Sequence, residues 1–280
     1  LYNSVYGYQD AIGGGSYNRV YYYYSGVAGG HNNYAIGYAV SVAGGMYNSG
    51  YYPSWSHVGG GYSNAAASPG STVAGGYDCW TSGYSAFVGG GEYNGVYCYM
   101  CATAGGDSNN LYSNYAHILS GLYNKVYSYQ GTVAGGAYNT NYSYRGHIGG
   151  GWYHRNYAYY TTIGGGYKHY ASGYSSAVSG GFNNSVTDTV DYSAGGRYNH
   201  VYNDWSSIHG GEYNGMYGYW GVIGGGSYNV EAYYYGTISG GQSNVANGTA
   251  ATIGGGGSNI VNAQYGFCFV FGIWFWAGRS

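Results

Sequence analysis

The stretch QSNVANGTAATIGGG, residues 242–256, decides the fold of this chain because it is one copy of a repeat. The preceding copies are SYNVEAYYYGTISGG at 227–241 and EYNGMYGYWGVIGGG at 212–226. We number each unit from slot 1, the residue after a glycine pair, to slot 15, the last glycine of the next pair. Successive units are 15 residues apart, except for one step of 16 residues between Asn48 and Asn64. A fixed period of this length indicates stacked structural repeats.

Three slots keep nearly the same residue type throughout the chain. Slot 12 is valine or isoleucine in 15 of the 17 complete units. Slot 15 is always glycine, and these turn glycines are Gly15, Gly30, Gly45, Gly61, Gly76, Gly91, Gly106, Gly121, Gly136, Gly151, Gly166, Gly181, Gly196, Gly211, Gly226, Gly241 and Gly256. Slot 3 is asparagine in most units, and the asparagines that we assign to a structural ladder are Asn18, Asn33, Asn48, Asn64, Asn94, Asn109, Asn124, Asn139, Asn184, Asn199, Asn214, Asn229, Asn244 and Asn259.

The unit reads as two short strands joined by turns. Each copy carries several glycines with β-branched and aromatic residues, and no 3.6-residue period is sustained, so helix is excluded. Two-residue alternation places slots 5 and 7 inward and slots 6 and 8 outward, while slot 12 points inward from a second strand. We therefore predict an all-β chain that forms a parallel β-solenoid, or β-roll, of about 18 coils. Residues 1–261 form the repeat domain, and residues 262–280 form an aromatic C-terminal cap or contact segment.

The conserved slots suggest specific backbone roles. Slots 14 and 15 are expected to need a positive φ, or a backbone approach that no Cβ allows. The slot 3 asparagine has two open roles: an amide ladder between coils, or a left-handed backbone. The extra residue lies within SGYYPSWSHV at 49–58, and Pro53 and Pro69 fall near one position of adjacent coils. Because proline cannot donate to a strand ladder, a local bulge is predicted there.

Composition bounds the partners of the chain. There are 59 glycines and 45 tyrosines, but only seven Lys or Arg and nine Asp or Glu, and the net charge is −2. This balance predicts neither a nucleic-acid partner nor an anionic membrane, and it favours self-association. Tyrosines recur at slots 6 and 8, and the predicted interface set is Tyr21, Tyr23, Tyr97, Tyr99, Tyr127, Tyr129, Tyr142, Tyr144, Tyr157, Tyr159, Tyr217 and Tyr219. These rings are expected either to be buried between chains or to stack on sugars and surfaces.

The units TTIGGGYKHYASGYSSAVSGG at 161–181 and QSNVANGTAATIGGG at 242–256 resemble a known repeat pattern, GGxxNxASGxYATVGGG. That pattern is found in the head and stalk repeats of trimeric autotransporter adhesins and in related phage tail-fibre proteins. The resemblance implies a parallel β-roll whose chains associate into fibres on cell or virion surfaces, with attachment as the task. In this chain tyrosine replaces the small residues of the family at slots 2, 6 and 8 in many copies.

Cysteine and histidine positions were weighed as metal or redox sites. Cys98 and Cys101 form a CxxC, but no second pair stands at zinc-site spacing, so we interpret them as two small residues in slots 7 and 10. His154 and His169 occupy slot 3 of consecutive units and are interpreted as replacements for asparagine in the ladder. We predict no metal and no cofactor.

The acidic residues Asp188, Asp191, Asp204 and Glu212 form the one acidic grouping in the sequence. A glycosidase needs two carboxyl groups at a set separation beside a sugar groove, and nothing in the pattern fixes such a separation. The chain is therefore predicted not to be an enzyme and to have no small-molecule substrate.

These observations favour a structural or adhesive extracellular fibre protein, on a cell or virion surface, whose tyrosine-rich faces mediate self-assembly. Its partners are expected to be copies of itself, with a host-surface glycan or matrix as a second class and no nucleic acid. One alternative is a receptor-binding viral tail fibre. A less favoured one is an ice-binding solenoid, which needs a regular threonine row. The threonines of slot 11 are Thr72, Thr132, Thr162, Thr237 and Thr252.

Overall fold

The structure is a computed structural model that describes residues 2–193 and 195–269. The chain divides into two compact units, Leu1–His154 and Arg155–Ser280, although the sequence suggests one repeat domain over 1–261. Every regular element within the described residues is a short strand, and all strand pairs are parallel. Each unit is a parallel β-solenoid, so the predicted fold class is confirmed. None of the described residues belongs to a helix with the length and apolarity of a membrane span.

The first unit contains two strands per coil: odd-numbered strands begin at slot 4 and even-numbered strands at slot 11. Their bounds are β1 (Ser4–Val5), β2 (Ala11–Ile12), β3 (Arg19–Tyr23), β4 (Gly26–Val27), β5 (Tyr34–Tyr38), β6 (Ser41–Val42), β7 (Ser49–Ser54), β8 (His57–Val58), β9 (Ala65–Ala66), β10 (Thr72–Val73), β11 (Trp80–Thr81), β12 (Phe87–Val88), β13 (Gly95–Val96), β14 (Ala102–Thr103), β15 (Asn110–Leu111), β16 (His117–Ile118), β17 (Lys125–Val126), β18 (Thr132–Val133), β19 (Thr140–Asn141) and β20 (His147–Ile148).

The second unit repeats the same arrangement. Its strands are β21 (Arg155–Asn156), β22 (Thr162–Ile163), β23 (Tyr170–Ala171), β24 (Ala177–Val178), β25 (Ser185–Val186), β26 (Tyr192–Ser193), β27 (His200–Val201), β28 (Ser207–Ile208), β29 (Gly215–Met216), β30 (Val222–Ile223), β31 (Val230–Glu231), β32 (Thr237–Ile238), β33 (Val245–Ala246), β34 (Thr252–Ile253), β35 (Ile260–Val261) and β36 (Phe267–Cys268).

The register shows that the backbone completes one lap every 15 residues. Val73 pairs with Val88, and Val126 pairs with the residue 15 positions later, Asn141. Backbone N–H groups of one coil donate to carbonyl groups of the next, as Ser4 does to Asn18 at 2.9 Å. Equivalent slots therefore lie directly above one another within each unit.

The predicted bulge is confirmed by the pairing of β5 with β7. Ile36 pairs with Tyr51, but Tyr38 pairs with Ser54, so the register shifts by one residue between these two pairs. The extra residue of the 16-residue coil is taken up there. The pairing of the second sheet, Val42 with Val58, is already back in register.

The core is thin and is made by slots 5 and 12. Side chains such as Val96, Leu111 and Ile118 are completely buried, and Ala35 and Ala171 fill slot 5 where less space is left. Full burial of one such valine, leucine or isoleucine contributes about 1.5–3 kcal/mol relative to leaving it exposed. Because each coil adds only two principal core positions, the stability must also come from bonds between coils.

The turn glycine of slot 15 has a positive φ in every complete coil, from 79° at Gly15 to 117° at Gly121. A Cβ on Gly15 would lie 2.0 Å from the carbonyl oxygen of Gly30 and 2.8 Å from Nδ2 of Asn18. No side chain fits at such a distance. Glycine is therefore required at slot 15 by both its conformation and its close contacts.

The expectation for slot 14 is wrong in part. Seven copies have a φ of 135–155°, but the remaining described copies, such as Gly14, Gly29 and Gly135, do not have a positive φ. A Cβ on Gly14 or Gly29 would meet no atom within 4 Å. Slot 14 borders open space, which explains why Ser120 can stand there.

Two further left-handed positions occur in each coil, at slots 2 and 9, and sequence reasoning missed them. Tyr123 at slot 2 has a φ of 54°, and Tyr115 at slot 9 has a φ of 58°. Their N–H groups donate backward to the preceding coil: Tyr123 to Asp107 at 2.9 Å and Tyr115 to Tyr99 at 3.0 Å. These bonds offset the cost of a left-handed conformation in residues other than glycine.

The coil pattern runs past residue 261. Strand β36 pairs in register with β34, so that Phe267 and Cys268 lie opposite Thr252 and Ile253. Part of the predicted contact segment thus occupies slots 11 and 12 of a further coil. The remainder, residues 270–280, lies outside the described residues.

Candidate functional site

An asparagine ladder runs through each unit at slot 3. Asn109 is completely buried, and its Nδ2 donates to the carbonyl oxygens of Gly105, at 3.0 Å, and Gly121, at 2.8 Å. Its Oδ1 accepts the backbone N–H of Asn124 at 3.1 Å. These three bonds recur at the other ladder asparagines up to Asn244, and Asn259 keeps the bond to Gly255. Of the two open roles, the hydrogen bonds are those of the ladder, and the left-handed residue is the one before it.

The three exceptions at slot 3 occupy the same position with poorer chemistry. Cys79 is buried, and its thiol donates to the Gly91 carbonyl oxygen at 3.4 Å; burial raises the pKa of this thiol. Nδ1 of His169 accepts the Asn184 N–H at 3.0 Å, and burial lowers the pKa of this imidazole. His154 donates its backbone N–H to Asn139 Oδ1 at 3.0 Å. Within residues 2–193 and 195–269, no group of three or more His, Cys, Asp or Glu side chains could hold a metal ion.

A second inner ladder lies at slot 10, and sequence reasoning missed it. Ser25 Oγ donates to the Gly37 carbonyl oxygen at 2.7 Å and accepts the Val40 N–H at 3.0 Å. Ser206 Oγ likewise donates to the Gly218 carbonyl oxygen at 2.8 Å. Where slot 10 is glycine or alanine, its N–H turns to slot 7 of the same coil, as Gly131 does to Ser128. A small or polar residue at slot 10 was the available signal.

Three of the four acidic residues singled out in the sequence come together in the second unit. Asp191 is buried at slot 10, and its carboxylate accepts the N–H groups of Ser206 and Asp188, each at 3.2 Å. Burial raises the pKa of Asp191 to about 7. Burial and then a hydrogen bond with Asp204 raise the pKa of Asp188, and the same hydrogen bond lowers that of Asp204.

The fourth acidic residue, Glu212, lies apart from this group. It is paired with Arg197 of the adjacent coil in an exposed salt bridge. Such a bridge at the surface contributes about 0–1 kcal/mol. The acidic grouping of the sequence thus consists of one structural buried carboxyl group and two groups that share a hydrogen bond.

A further buried carboxyl group, Glu231, was not singled out in the sequence. It stands at the core slot 5 and accepts the N–H groups of Gly218, at 3.2 Å, and Tyr233, at 3.1 Å. Burial raises its pKa to about 7. A Cβ on Gly221 or Gly236 would lie within 2.6 Å of its carboxylate, so these two glycines leave it room.

Cys98 and Cys101 are joined by a disulfide bond, which the interpretation as two small residues did not predict. The bond links slots 7 and 10 across the turn, with the two Cα atoms 5.7 Å apart and both side chains buried. It stands where other coils form a backbone or Ser Oγ bond between the same slots. Cys79 and Cys268 are not bonded to another cysteine.

The tyrosines form columns on the outside of the coils. At slot 6 the ring centroids of Tyr97 and Tyr112 are 5.3 Å apart, those of Tyr112 and Tyr127 are 4.7 Å apart, and those of Tyr127 and Tyr142 are 4.9 Å apart. The ring planes of these neighbours are within 11° of parallel. Offset-stacked rings at such distances add about 0.5–1.5 kcal/mol per pair beyond their buried area.

Other slots carry similar columns. Slot 2 of the first unit stacks Tyr123, Tyr138 and Tyr153 at 5.2 and 4.9 Å. In the second unit Tyr202 and Tyr217 of slot 6 are stacked at 4.8 Å. The further parallel pairs are Tyr84–Tyr99, Tyr129–Tyr144, Tyr198–Tyr213, Tyr213–Tyr228 and Tyr219–Tyr234. The slot 2 column was absent from the predicted interface set.

The predicted interface tyrosines all lie on the outer surface. Tyr21, Tyr144 and Tyr219 are half-buried, and the other nine are exposed. Tyr159 and Tyr157 are tilted against Tyr174 and Tyr170 rather than parallel to them. The slot 8 tyrosines also contact slot 9 rings edge-on, as in the 5.6 Å pair of Tyr99 and Tyr115.

The stacking determines which part of each ring meets solvent. In a parallel column, both faces of an inner ring such as Tyr112 contact its neighbours. The side chain is nevertheless 43% exposed, so the exposed part is the edge with its hydroxyl group. The columns therefore present rows of edges and hydroxyl groups, one per coil. No family model matches this chain, and no curated protein matches it at a significant level of sequence similarity.

Proposed function

We propose that this chain is a structural and adhesive extracellular fibre protein whose tyrosine columns associate with those of other copies. The observation that carries the proposal is the stack of Tyr97, Tyr112, Tyr127 and Tyr142, whose rings are each 38–44% exposed on one side of the first unit. A contiguous apolar surface of this kind is unusual on a soluble monomer and is typical of an interaction surface.

The charge pattern supports a copy of the chain as the partner. Only 16 of 280 residues are charged, seven basic and nine acidic, so little repulsion opposes the approach of two identical faces. Tyrosine edges and hydroxyl groups can also donate and accept hydrogen bonds with an identical row. The likeness of the repeats to adhesin and tail-fibre repeats points in the same direction.

The disulfide bond between Cys98 and Cys101 supports an extracellular location, because such bonds persist in oxidising compartments. The arrangement of the rings gives less support to sugar binding as the main role of the columns. A sugar packs on the face of an aromatic ring, and the faces of inner rings such as Tyr112 are already in contact with other tyrosines.

The ice-binding alternative has no regular threonine row to support it. In the first unit Thr72 and Thr132 are separated along slot 11 by Phe87, Ala102 and His117. Flat ice-binding arrays need one residue type at constant spacing, and this face does not have it.

The test replaces Tyr97, Tyr112, Tyr127 and Tyr142 together by threonine. Threonine already stands at slot 6 in Thr187, so the coil accepts it. The wild-type chain is expected to grow into larger particles as its concentration rises, in sedimentation velocity and electron microscopy. The variant is expected to remain at a smaller size.

The matched control replaces four tyrosines that have no parallel-stacked neighbour, Tyr22, Tyr192, Tyr233 and Tyr265, by threonine. Circular dichroism of both variants checks that the fold is kept. Equal assembly of the column variant and the wild type would reject the proposal, as would equal loss in the two variants.

A further inference from the structure

The slot 6 column of the first unit brings four phenol groups into continuous contact. Tyr112 has ring neighbours on both faces, with Tyr127 at 4.7 Å and Tyr97 at 5.3 Å, and Tyr142 extends the stack. When one ring in such a stack loses an electron, the positive charge that remains is shared with the rings in contact. A stacked phenol is therefore easier to oxidise than an isolated one.

The same column exposes the reactive atoms. The hydroxyl group and the two carbon atoms beside it lie on the ring edge farthest from the backbone, and the edges are the part that meets solvent. After loss of an electron and a proton, these carbons carry unpaired spin. Burial and the adjacent hydroxyl groups of Tyr127 and Tyr97 raise the pKa of Tyr112, so the ring is a neutral phenol at neutral pH.

We propose that the column Tyr97–Tyr112–Tyr127–Tyr142 is a site of oxidative modification that forms dityrosine with a second copy of the chain. This inference rests on the proposed self-assembly, because the second tyrosine comes from another copy. It goes beyond that function by assigning a covalent step to it. The column would convert a reversible contact between fibres into a permanent one.

The chemistry balances with a one-electron oxidant such as a photogenerated metal complex or a peroxidase intermediate. Each of two tyrosines gives one electron to the oxidant and its hydroxyl proton to water. The two radicals then form one carbon–carbon bond between ring positions beside the hydroxyl groups. The hydrogen atoms of these carbons move to the two oxygens as the rings regain aromaticity, and two equivalents of oxidant are reduced.

The geometry directs this coupling away from the column itself. Neighbouring rings such as Tyr112 and Tyr127 contact face to face, with planes 4° from parallel. A dityrosine bond joins two rings edge to edge at covalent distance, which parallel rings on adjacent coils cannot reach. The radical therefore remains until an exposed edge meets a tyrosine of another molecule.

The test compares two variants of the full chain after photo-oxidation with tris(bipyridine)ruthenium(III). The column variant carries phenylalanine in place of Tyr97, Tyr112, Tyr127 and Tyr142, which keeps the stacking but removes the oxidisable hydroxyl groups. The control carries phenylalanine at four tyrosines outside the parallel stacks, Tyr22, Tyr192, Tyr233 and Tyr265. These control side chains are 39–76% exposed, as much as or more than the column members in three of four cases.

Dityrosine fluorescence and mass spectrometry of cross-linked peptides provide the readout. The column variant is expected to lose most of the wild-type dityrosine, and the control to keep most of it. If all 45 tyrosines reacted alike, replacing four would remove less than a tenth of the product. Equal losses in the two variants, or cross-links between consecutive coils of one chain, would overturn the proposal.

Sedimentation before oxidation separates this result from the proposed function. If the wild type does not assemble, the proposed function fails, and the oxidation site is still tested by adding N-acetyltyrosinamide as the coupling partner. Attachment of that compound to the column peptides would then support the site. Attachment spread evenly over the tyrosines, or directed to the control positions, would reject it.

Discussion

The carboxylate of Glu231 accepts the backbone N–H of Gly218 at 3.2 Å, although Glu231 stands at a strand position that holds Met216 and Ala246 in the adjacent coils. The side chain is completely buried and carries hydrogen bonds that serve the slot 7 turns of two coils. A titratable group therefore takes the place of an apolar core residue in the second unit, and this has a consequence for the pH dependence of stability.

Replacing Glu231 by glutamine is expected to remove part of the pH dependence of unfolding. Burial raises the pKa of Glu231 from 4.5 to about 7, so between these values the folded state binds more protons than the unfolded state. The stabilising effect of the protonated form is complete below about pH 4.5 and is lost as the pH rises through 7. A shift of this size corresponds to roughly 3 kcal/mol.

Denaturant unfolding of the wild type and of Glu231→Gln at several pH values checks this. The difference between the two proteins cancels the contributions of Asp191, whose pKa is raised to about 7, and of His169 and His200, whose pKa values are lowered by burial. Relative to the wild type, the variant should gain stability from pH 5 to pH 8. A difference that stays constant with pH, or the same trend in Glu212→Gln, would contradict the prediction.

Cys79→Asn is expected to stabilise the first unit. Asparagine would restore two amide donor bonds to the turn carbonyls and an oxygen acceptor for the Asn94 N–H, in place of one long thiol bond to Gly91. Each hydrogen bond gained contributes about 1 kcal/mol. Thermal unfolding should show a higher Tm for Cys79→Asn than for the wild type. If Cys79→Ala gave the same increase, removal of the thiol rather than repair of the ladder would be the cause.

Ser193→Val is expected to stabilise the second unit. Ser193 stands at core slot 12 between Val178 and Ile208, and its buried Oγ has no hydrogen-bond partner. A buried hydroxyl group without a partner costs about 1–3 kcal/mol, and valine fills this slot in other coils. Denaturant unfolding measures the gain. An unchanged or lower free energy of unfolding would show that the site cannot accept the two methyl groups.

Gly136→Ala is expected to destabilise the first unit strongly, and Gly135→Ala only slightly. Gly136 has a φ of 80°, and its Cβ would lie 2.0 Å from the Gly151 carbonyl oxygen, so the strain of about 1–2 kcal/mol is joined by a clash. At Gly135 the nearest atom to an added Cβ is the Ser120 carbonyl oxygen, at 3.8 Å. Unfolding of the two variants side by side gives the comparison. Similar losses at both positions would show that the two slots are equally constrained.

Part of this structure could be predicted from the sequence because the period is carried by residues with one dominant use. Glycine at slot 15 signals a positive φ, and asparagine at slot 3 signals amide bonds between coils. Slots 2 and 9 gave no such signal, since residues such as Tyr115 and Trp205 rarely adopt a left-handed conformation. The backward bonds of their N–H groups stabilise it, and these bonds appear only once the coils are stacked.

The polar features of single coils were harder to predict. Glu231 looks like an isolated surface acid until the absence of side chains at Gly221 and Gly236 is placed beside it. The bond between Cys98 and Cys101 depends on slots 7 and 10 meeting across a turn. Each case requires knowing which slots face one another through the coil, which periodicity alone does not provide.

The bulge between Tyr51 and Ser54 shows how the coils accommodate added chain. The asparagine ladder crosses this coil intact: the Asn64 N–H donates to Asn48 Oδ1 at 3.0 Å, as in coils without the extra residue. Length is thus absorbed at the outer turn while the inner bonds restore the spacing before the lap is complete. Foreign peptides grafted between Tyr51 and Ser54 would be displayed outside the coil, at a place where natural sequence variation in loop length can accumulate without disturbing the core.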